Sequence, residues 1–328
     1  MNYVPDIIYN VTILFIMMIP GVILKKCGLV SDGFGKGLSN LVLYIAQPAL
    51  VLLAYFKEFD KSILINSVYV FILSIISHLI FIGASLLFFK KAEDGKKRML
   101  RFATVFSNAA FMGIPLIAAV LEDTYPGATL YASIYNITFN LFLWTLGVYF
   151  CTHGRDLNNN DIPDHIEEIQ HNISYKKALL HPVTIAAALG LIFFSFSLHT
   201  YVPELITDSL TKLSNLVAPL SMLVIGLRLA DMKLDGCFKD IHLYTFLALR
   251  HIVLPLIVVG FIRLLPFIGI DVPSAVSMVI VIMASAPAAS SATMFAEKYS
   301  CDAIYVSRAV TFSTLLSVIT MPLMIMLV

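Results

Sequence analysis

Long apolar runs alternate with short polar clusters along the 328 residues of this chain. Each run is close to the length of about 20 residues that a helix needs to cross a bilayer. None alternates apolar and polar positions as strands do, and a backbone in lipid must satisfy its own hydrogen bonds. The pattern predicts an all-α integral membrane protein with ten transmembrane helices, here called segments 1 to 10, at about residues 7–24, 36–56, 63–89, 100–121, 128–151, 179–198, 205–228, 240–265, 273–296 and 303–327.

Positive charge is distributed unevenly between the links that join these segments. The links after the odd-numbered segments contain most of the 22 lysines and arginines, whereas the links on the other side contain only Lys57, Lys61, Lys212 and Arg263. Cytoplasmic loops carry an excess of lysine and arginine, so the links after the odd-numbered segments are predicted to be cytoplasmic. The chain is therefore predicted to lie in the cell membrane with both termini extracytoplasmic.

The longest polar link, residues 152–178, divides the chain into halves of nearly equal length, 1–151 and 179–328. Each half contains an odd number of segments, so a duplicated unit would enter the membrane in opposite senses. The sequence LSNLV at 38–42 recurs at 213–217, and a proline follows each copy, Pro48 or Pro219. These features predict two inverted five-helix repeats joined by a cytoplasmic linker.

Segments 4 and 9 each contain a proline near the middle. A proline removes one helical hydrogen bond and clashes with the preceding turn, and the first amides of a new half-helix have no intrahelical partner. Paired breaks in inverted halves indicate a transporter binding site, and helix N-termini attract anions. The alternative is ordinary kinks and close packing of small residues. The candidate site residues at the two breaks are Asn108, Gly113, Pro115, Pro287, Ser290 and Ser291.

Segment 8 contains an arginine, Arg250, and ionisable residues inside a span are costly and are functional by default. Arg250 is therefore a further candidate for binding an anionic substrate. Its predicted depth depends on whether the helix begins at Asp240 or at Tyr244. All 21 acidic residues fall in links or at segment ends, so the predicted site consists of neutral dipoles and Arg250.

Composition narrows the function further. Hydrophobic residues make up 59% of the chain and charged residues 13%, compared with about 25% charged residues in soluble domains. A formal net charge of +1 without a basic domain argues against nucleic-acid binding. The chain lacks the metalloprotease, serine-hydrolase and phosphate-loop motifs, and its four cysteines have no metal-ligand spacing. No enzyme activity, cofactor or metal is predicted.

The residues around the two prolines resemble a known family. Residues 108–116, NAAFMGIPL, resemble the broken fourth helix of the auxin efflux carrier family, and residues 295–299, FAEKY, are similar to its F-A-K-E-Y. Residues 44–50 and 219–226 resemble its bacterial members. Ser300 stands where plant carriers have an asparagine, and the short linker lacks the long phosphorylated loop of many plant members. The chain is thus most similar to the bacterial malate and organic-acid permeases.

The resemblance implies a homodimer in which helices 1, 2, 6 and 7 form a scaffold, and helices 3–5 and 8–10 form a transport unit that moves like an elevator. It also implies that helices 4 and 9 are broken and cross, that Asn108 contacts substrate, and that Pro115 and Pro287 are the crossover prolines. The predicted function is secondary transport of small organic carboxylates, auxin-like or malate-like, across the plasma membrane.

Two alternatives stay open at this point. A sodium-coupled organic-anion symporter of the bile-acid type shares the crossover architecture, but an acidic residue is expected at its ninth-helix crossover, where the nearest acid in this chain is Glu297. A membrane receptor could retain the fold and bind the ligand without moving it.

Overall fold

The computed structural model describes residues 4–31, 33–152, 179–230, 240–299 and 301–328. These residues are predominantly helical, and no extended strand occurs among them. The helices are α1 (Val4–Ile16), α2 (Ile19–Lys26), α3 (Phe34–Ala54), α4 (Lys61–Phe88), α5 (Asp94–Val105), α6 (Ala109–Val120), α7 (Ala128–Thr152), α8 (Pro182–Ser195), α9 (Glu204–Ala230), α10 (Ile241–Ile268), α11 (Ser274–Ser285), α12 (Ser291–Lys298) and α13 (Ala303–Ile325).

Among the described residues, 6 helices are long and apolar enough to cross a membrane, namely α3, α4, α7, α9, α10 and α13. The prediction of an all-helical protein with several membrane spans is therefore confirmed. The other predicted segments contain shorter helices, and segments 1, 4 and 9 are each divided into two. The predicted linker, residues 152–178, lies outside the described residues apart from Thr152 at the end of α7.

Proline explains several of these helix boundaries. Segment 1 is interrupted at residues 17–18, directly before α2, whose first turn contains Pro20. The missing N–H of a proline is tolerated in a first turn, where the amide would have no helical partner. Segment 6 similarly begins with Pro182 as the first residue of α8, and the imidazole of His181 accepts a hydrogen bond from the Val183 amide.

Prolines inside α3, α6 and α10 do not break their helices. In each case the proline, which is Pro48, Pro115 or Pro255, lies just after a π-helical turn formed by Val42–Ala46, Ala109–Gly113 or Leu249–Val253. A proline ring displaces the carbonyl four residues earlier. That residue lies inside the π-helical turn, where the wider winding accommodates it.

The helices pack into two groups. In the first group α2 packs against α9, and α3 packs against α8 and α9. In the second group α4 packs against α5 and α7, while α11 packs against α7, α10 and α13. The closest approach in the first group is between Gly21 of α2 and Gly226 of α9, where the absence of side chains brings the two backbones together.

An ion pair joins the two groups at the end of α3. Lys57 Nζ lies 2.5 Å from Glu122 Oε1, and Glu122 also accepts hydrogen bonds from the amides of Gly127 and Thr129 at the start of α7. Burial would raise the pKa of Glu122, but the hydrogen bonds from Lys57 and the two amides outweigh burial and lower the pKa. The carboxylate therefore stabilises this link in its charged form.

Replacing Glu122 with glutamine is expected to lower the free energy of unfolding by about 1 kcal/mol near neutral pH, because the ion pair is partly shielded from solvent. A lowered folded-state pKa contributes stability above the unfolded value and loses it as pH falls through the folded value. The difference in melting temperature between wild type and Glu122→Gln should therefore shrink below the ordinary pKa of 4.5. A difference that persists in acid would contradict this assignment, and exposed Glu58→Gln serves as the control.

Candidate functional site

The interruptions of segments 4 and 9 lie directly against each other. Ser107 and Ala288 form an antiparallel bridge. The Asn108 amide donates to the Pro287 carbonyl at 2.7 Å, and the Ala289 amide donates to the Phe106 carbonyl at 2.8 Å. Two non-helical stretches, residues 106–108 and 286–290, therefore cross and are joined by backbone hydrogen bonds. We call these residues the crossing.

The two interruptions have different causes. α11 ends before Pro287, and Ala286 has the extended conformation (φ −58°, ψ 146°) that a residue before proline prefers. In segment 4 the break falls at residues 106–108, and Pro115 lies further along, at the start of the α-helical part of α6. The expectation that Pro115 marks the break is therefore wrong. The backbone bonds to the other non-helical stretch replace the helical bonds at residues 106–108.

The crossing brings four helix ends together. α5 and α11 direct their C-terminal carbonyls towards it, and α6 and α12 begin there. Asn108 and Ser290 are the N-cap residues of α6 and α12, and neither side chain caps its own helix within the described structure. The Ala292 amide of α12 donates to the Ala289 carbonyl, whereas no side chain of Asn108 or Ser290 caps either helix. The N-terminal dipoles of both helices favour an anion.

Asn108 combines burial with an unused donor. The side chain is only 3% exposed, and its amide nitrogen has no hydrogen-bond partner among the described residues. The backbone carbonyl of Asn108 accepts bonds from Met112 and Gly113, so the main chain at this position is fixed without the side chain. A buried polar group without a partner is rare and calls for an explanation.

Arg250 lies behind the crossing and is completely buried. Its Nε and Nη2 atoms donate to the Ala286 carbonyl at 3.1 and 2.6 Å, and Nη1 donates to the Thr104 carbonyl at 3.1 Å. The guanidinium also lies 5.1 Å from the centre of the Phe81 ring. Arg250 thus binds backbone oxygens at the ends of α5 and α11, which differs from the predicted direct contact with an anion.

The other predicted site residues have distinct positions. Gly113 is packed against α11, where a Cβ atom would lie 2.5 Å from Met283 Sδ, so it serves close packing. Ser290 is buried at the crossing, and Ser291 is the partly exposed first residue of α12. Pro287 lies in the crossing itself, whereas Pro115 is buried in α6.

The first helix group contributes polar residues that the sequence analysis missed. Arg228 of α9 donates from Nη1 to the Ser290 carbonyl at 2.8 Å, and its guanidinium lies 5.8 Å from the centre of the Phe111 ring. Gln47 of α3 donates to the Ala110 carbonyl at 2.7 Å. Arg228 is the last residue of predicted segment 7, a position that did not indicate this contact. The sequence signal for Gln47 was an uncharged polar residue within an apolar span.

Further unsatisfied polar atoms lie in the same helices. The side-chain oxygens of Gln47 and of Ser221, on α9, are buried and have no hydrogen-bond partner among the described residues. Ser221 and Arg228 are separated by two helical turns, so they lie on one face of α9. Together with Asn108, these groups provide donors and an acceptor near the start of α6.

A series of hydrogen bonds joins the crossing to α10 and α13. The Ala288 amide donates to Ser313 Oγ at 2.9 Å, and Ser313 Oγ lies 2.8 Å from Nε2 of the buried His251. His251 Nδ1 lies 3.0 Å from Thr320 Oγ1, which donates to the Leu316 carbonyl. These donors assign the Nδ1–H tautomer to His251. His251 therefore holds Ser313 as an acceptor for the crossing.

Comparison with known proteins identifies the family of this chain. Residues 6–325 match the family described as "Membrane transport protein". The chain belongs to this family, which is the auxin efflux carrier family. It is therefore a multi-pass membrane transport protein, and its family is one of transporters rather than enzymes.

Two relatives cover nearly the whole chain, and a third covers about three quarters of it. An uncharacterized transporter of Methanothermobacter thermautotrophicus is 26% identical over 310 residues, 94% of either chain. An uncharacterized transporter of Methanocaldococcus jannaschii is 24% identical over 321 residues, 95% of this chain and 96% of the relative. The lysosomal cholesterol signaling protein of Mus musculus is 23% identical over 253 residues, 74% of this chain but only 28% of the mouse protein.

Proposed function

We propose that this protein is a secondary transporter of small organic carboxylate anions, malate-like or auxin-like, and that the substrate binds at the crossing. The observation that carries the proposal is the buried, unpartnered amide of Asn108 beside two uncapped helix N-termini. Amide donors and helix dipoles bind a carboxylate without placing a formal charge in the membrane.

We assign Arg228 rather than Arg250 as the cation of this anion site. Arg250 donates to carbonyls on the far side of the crossing, whereas Arg228 reaches Ser290 at the start of α12 with one nitrogen. A guanidinium can bind a carboxylate with two parallel hydrogen bonds. A carboxylate at the crossing would therefore be contacted by Asn108 from the second helix group and by Arg228 from the first.

The proposed architecture is ten transmembrane helices in two inverted repeats, residues 1–151 and 179–328, joined by the 152–178 linker. The first helix group (α1–α3, α8 and α9) would be the scaffold, and the second (α4–α7 and α10–α13) the transport unit. The packing of α2, α3, α8 and α9 against one another supports the division, whereas α1 packs mainly against α6 and α13 and is placed in the scaffold by the resemblance. The resemblance further supports a homodimer in the cell membrane, and the distribution of lysine and arginine supports extracytoplasmic termini.

An elevator-type movement would change few polar contacts between the groups. In the described part of the chain, polar contacts join one group to the other: Gln47 with Ala110, Tyr55 with Ser133, Arg228 with Ser290, and Lys57 with Glu122. Moving one net negative charge out of a cell with a negative interior releases about 2.3 kcal/mol per 100 mV. Membrane potential alone is thus sufficient to drive export of an anion.

Flux measurements in proteoliposomes test the proposal. We expect a labelled carboxylate from a panel that includes malate and indole-3-acetate to enter faster than into protein-free liposomes, and at a rate that responds to a set membrane potential. The matched uncharged amides should not enter faster, since they lack the charge that the crossing favours. Binding of an acid without flux of any acid would favour a receptor and overturn the proposal.

A further inference from the structure

The C-terminal ends of two half-helices meet at one guanidinium. Thr104 lies in the last turn of α5, and Ala286 directly follows α11. The carbonyls of both residues accept hydrogen bonds from Arg250. Each helix C-terminus carries about half a negative charge. The two ends together therefore form a site for one positive charge.

Within the described part of the chain, no carboxylate pairs with Arg250. None of the ion pairs among the described residues includes it. Arg250 donates to the two carbonyls and lies over the face of Phe81, which attracts a cation through its ring quadrupole. The charge of Arg250 is thus compensated by helix ends and a π-face, in a position with no exposure to solvent.

Transporters with broken helices use such groups to bind coupling ions. Unwound backbone carbonyls and half-helix C-terminal ends supply the oxygens that coordinate Na⁺ in that class. In this chain the guanidinium of Arg250 already occupies such oxygens, and arginine retains its proton at working pH. A sodium ion could use the carbonyls of Thr104 and Ala286 only after displacing Arg250.

We propose that Arg250 is a tethered cation that takes the place of a coupling ion at the crossing, so that transport does not depend on Na⁺. The inference rests on the proposed function for its consequence: the charge moved in each cycle is that of the substrate alone. Arg250 acts as a positioning residue, because it holds together the ends of α5 and α11 and need not contact the substrate.

The first test compares ions with the wild-type protein. Carboxylate flux into proteoliposomes, at one membrane potential, should be the same in sodium, potassium and choline chloride. The melting temperature of the purified protein in detergent should also be the same in sodium and choline chloride at equal ionic strength. A flux or a melting temperature that falls when sodium is removed would overturn the proposal. The melting measurement needs no substrate, so it remains decisive if the protein moves no carboxylate.

The second test removes the tethered charge. Arg250→Ala should lower the melting temperature in choline chloride, and sodium or guanidinium chloride should raise it again, because a free cation can then reach the two carbonyls. No recovery with either cation would overturn the assignment of these carbonyls as a cation site. Arg263→Ala is the matched control: it removes a charge from the exposed end of α10 and should gain no response to these ions.

Arg250→Lys covers the case in which Arg250→Ala does not fold. The ammonium retains the positive charge, so this variant should fold and its melting temperature should remain the same in sodium and choline chloride. A sodium response in Arg250→Lys would mean that charge at this position does not replace the ion, and would count against the proposal.

Discussion

Replacing Asn108 with alanine is expected to reduce carboxylate flux by about a hundredfold, the typical effect of removing one pre-positioned donor from an anion site. The unpartnered side-chain nitrogen would be lost, so the substrate would lose a hydrogen bond in a water-poor environment, where such a bond is strong. Initial rates of labelled carboxylate uptake, measured at one membrane potential, give the ratio of the two proteins directly.

The variant should still fold, because the structural bonds of this residue are made by its backbone. The Asn108 amide donates to Pro287, and its carbonyl accepts bonds from α6, whichever side chain is present. The melting temperature of Asn108→Ala should therefore stay close to the wild-type value. Asn66→Ala is the control: it removes an amide that donates to Tyr131, away from the crossing, and should retain most of the flux. Wild-type flux in Asn108→Ala would remove Asn108 from the site.

Replacing Gly226 with alanine is expected to lower the free energy of unfolding by about 3 kcal/mol, the upper part of the usual range for overpacking. A Cβ atom on Gly226 would lie 2.0 Å from the Met18 carbonyl oxygen and 3.1 Å from the Cα atom of Gly21. Both obstacles are backbone atoms, so no side-chain rotation relieves the clash. α2 and α9 would have to move apart, which removes contacts along their whole interface.

Thermal unfolding in detergent measures this effect. Gly83→Ala and Gly260→Ala are matched controls, because both glycines lie in helices and an added Cβ would meet no atom within 4 Å. These controls should be neutral or stabilising by up to about 1 kcal/mol, since alanine is the better helix former. Wild-type stability in Gly226→Ala would show that α2 and α9 do not approach this closely.

The sequence predicted most of the helices because the membrane imposes a simple requirement. Apolar runs of spanning length must be helical to satisfy their backbone in lipid, so α4, α7 and α13 begin and end close to the predicted residues. The break at Pro287 was also predictable, because proline constrains itself and the residue before it. Asn108 lies at the crossing, as its position beside a break had indicated.

Proline alone did not locate the other break. Pro48, Pro115 and Pro287 all lie within predicted apolar segments. Only Pro287 lies at a break, whereas Pro48 and Pro115 lie inside continuous helices that contain a π-helical turn. Residues 106–108 contain no proline and are non-helical, and their backbone bonds go to residues 287–289 instead. The local pattern of apolar and polar residues does not predict a pairing between stretches so distant along the chain.

The two arginines, Arg228 and Arg250, also show what local sequence predicts and what depends on distant contacts. Sequence placed one arginine inside a span and one at a span end, which made Arg250 the candidate for substrate and Arg228 a link residue. The fold assigns Arg250 to the carbonyls of Thr104 and Ala286, which are 146 and 36 residues away, and brings Arg228 to Ser290. The amino-acid sequence by itself determined that this chain is a helical membrane protein with a broken helix at Pro287, because solvation of the backbone and the geometry of proline act locally. Only the tertiary structure decided which backbone carbonyls the two guanidinium groups bind, because these carbonyls are distant along the chain and only the packing of the helices brings them to the arginines.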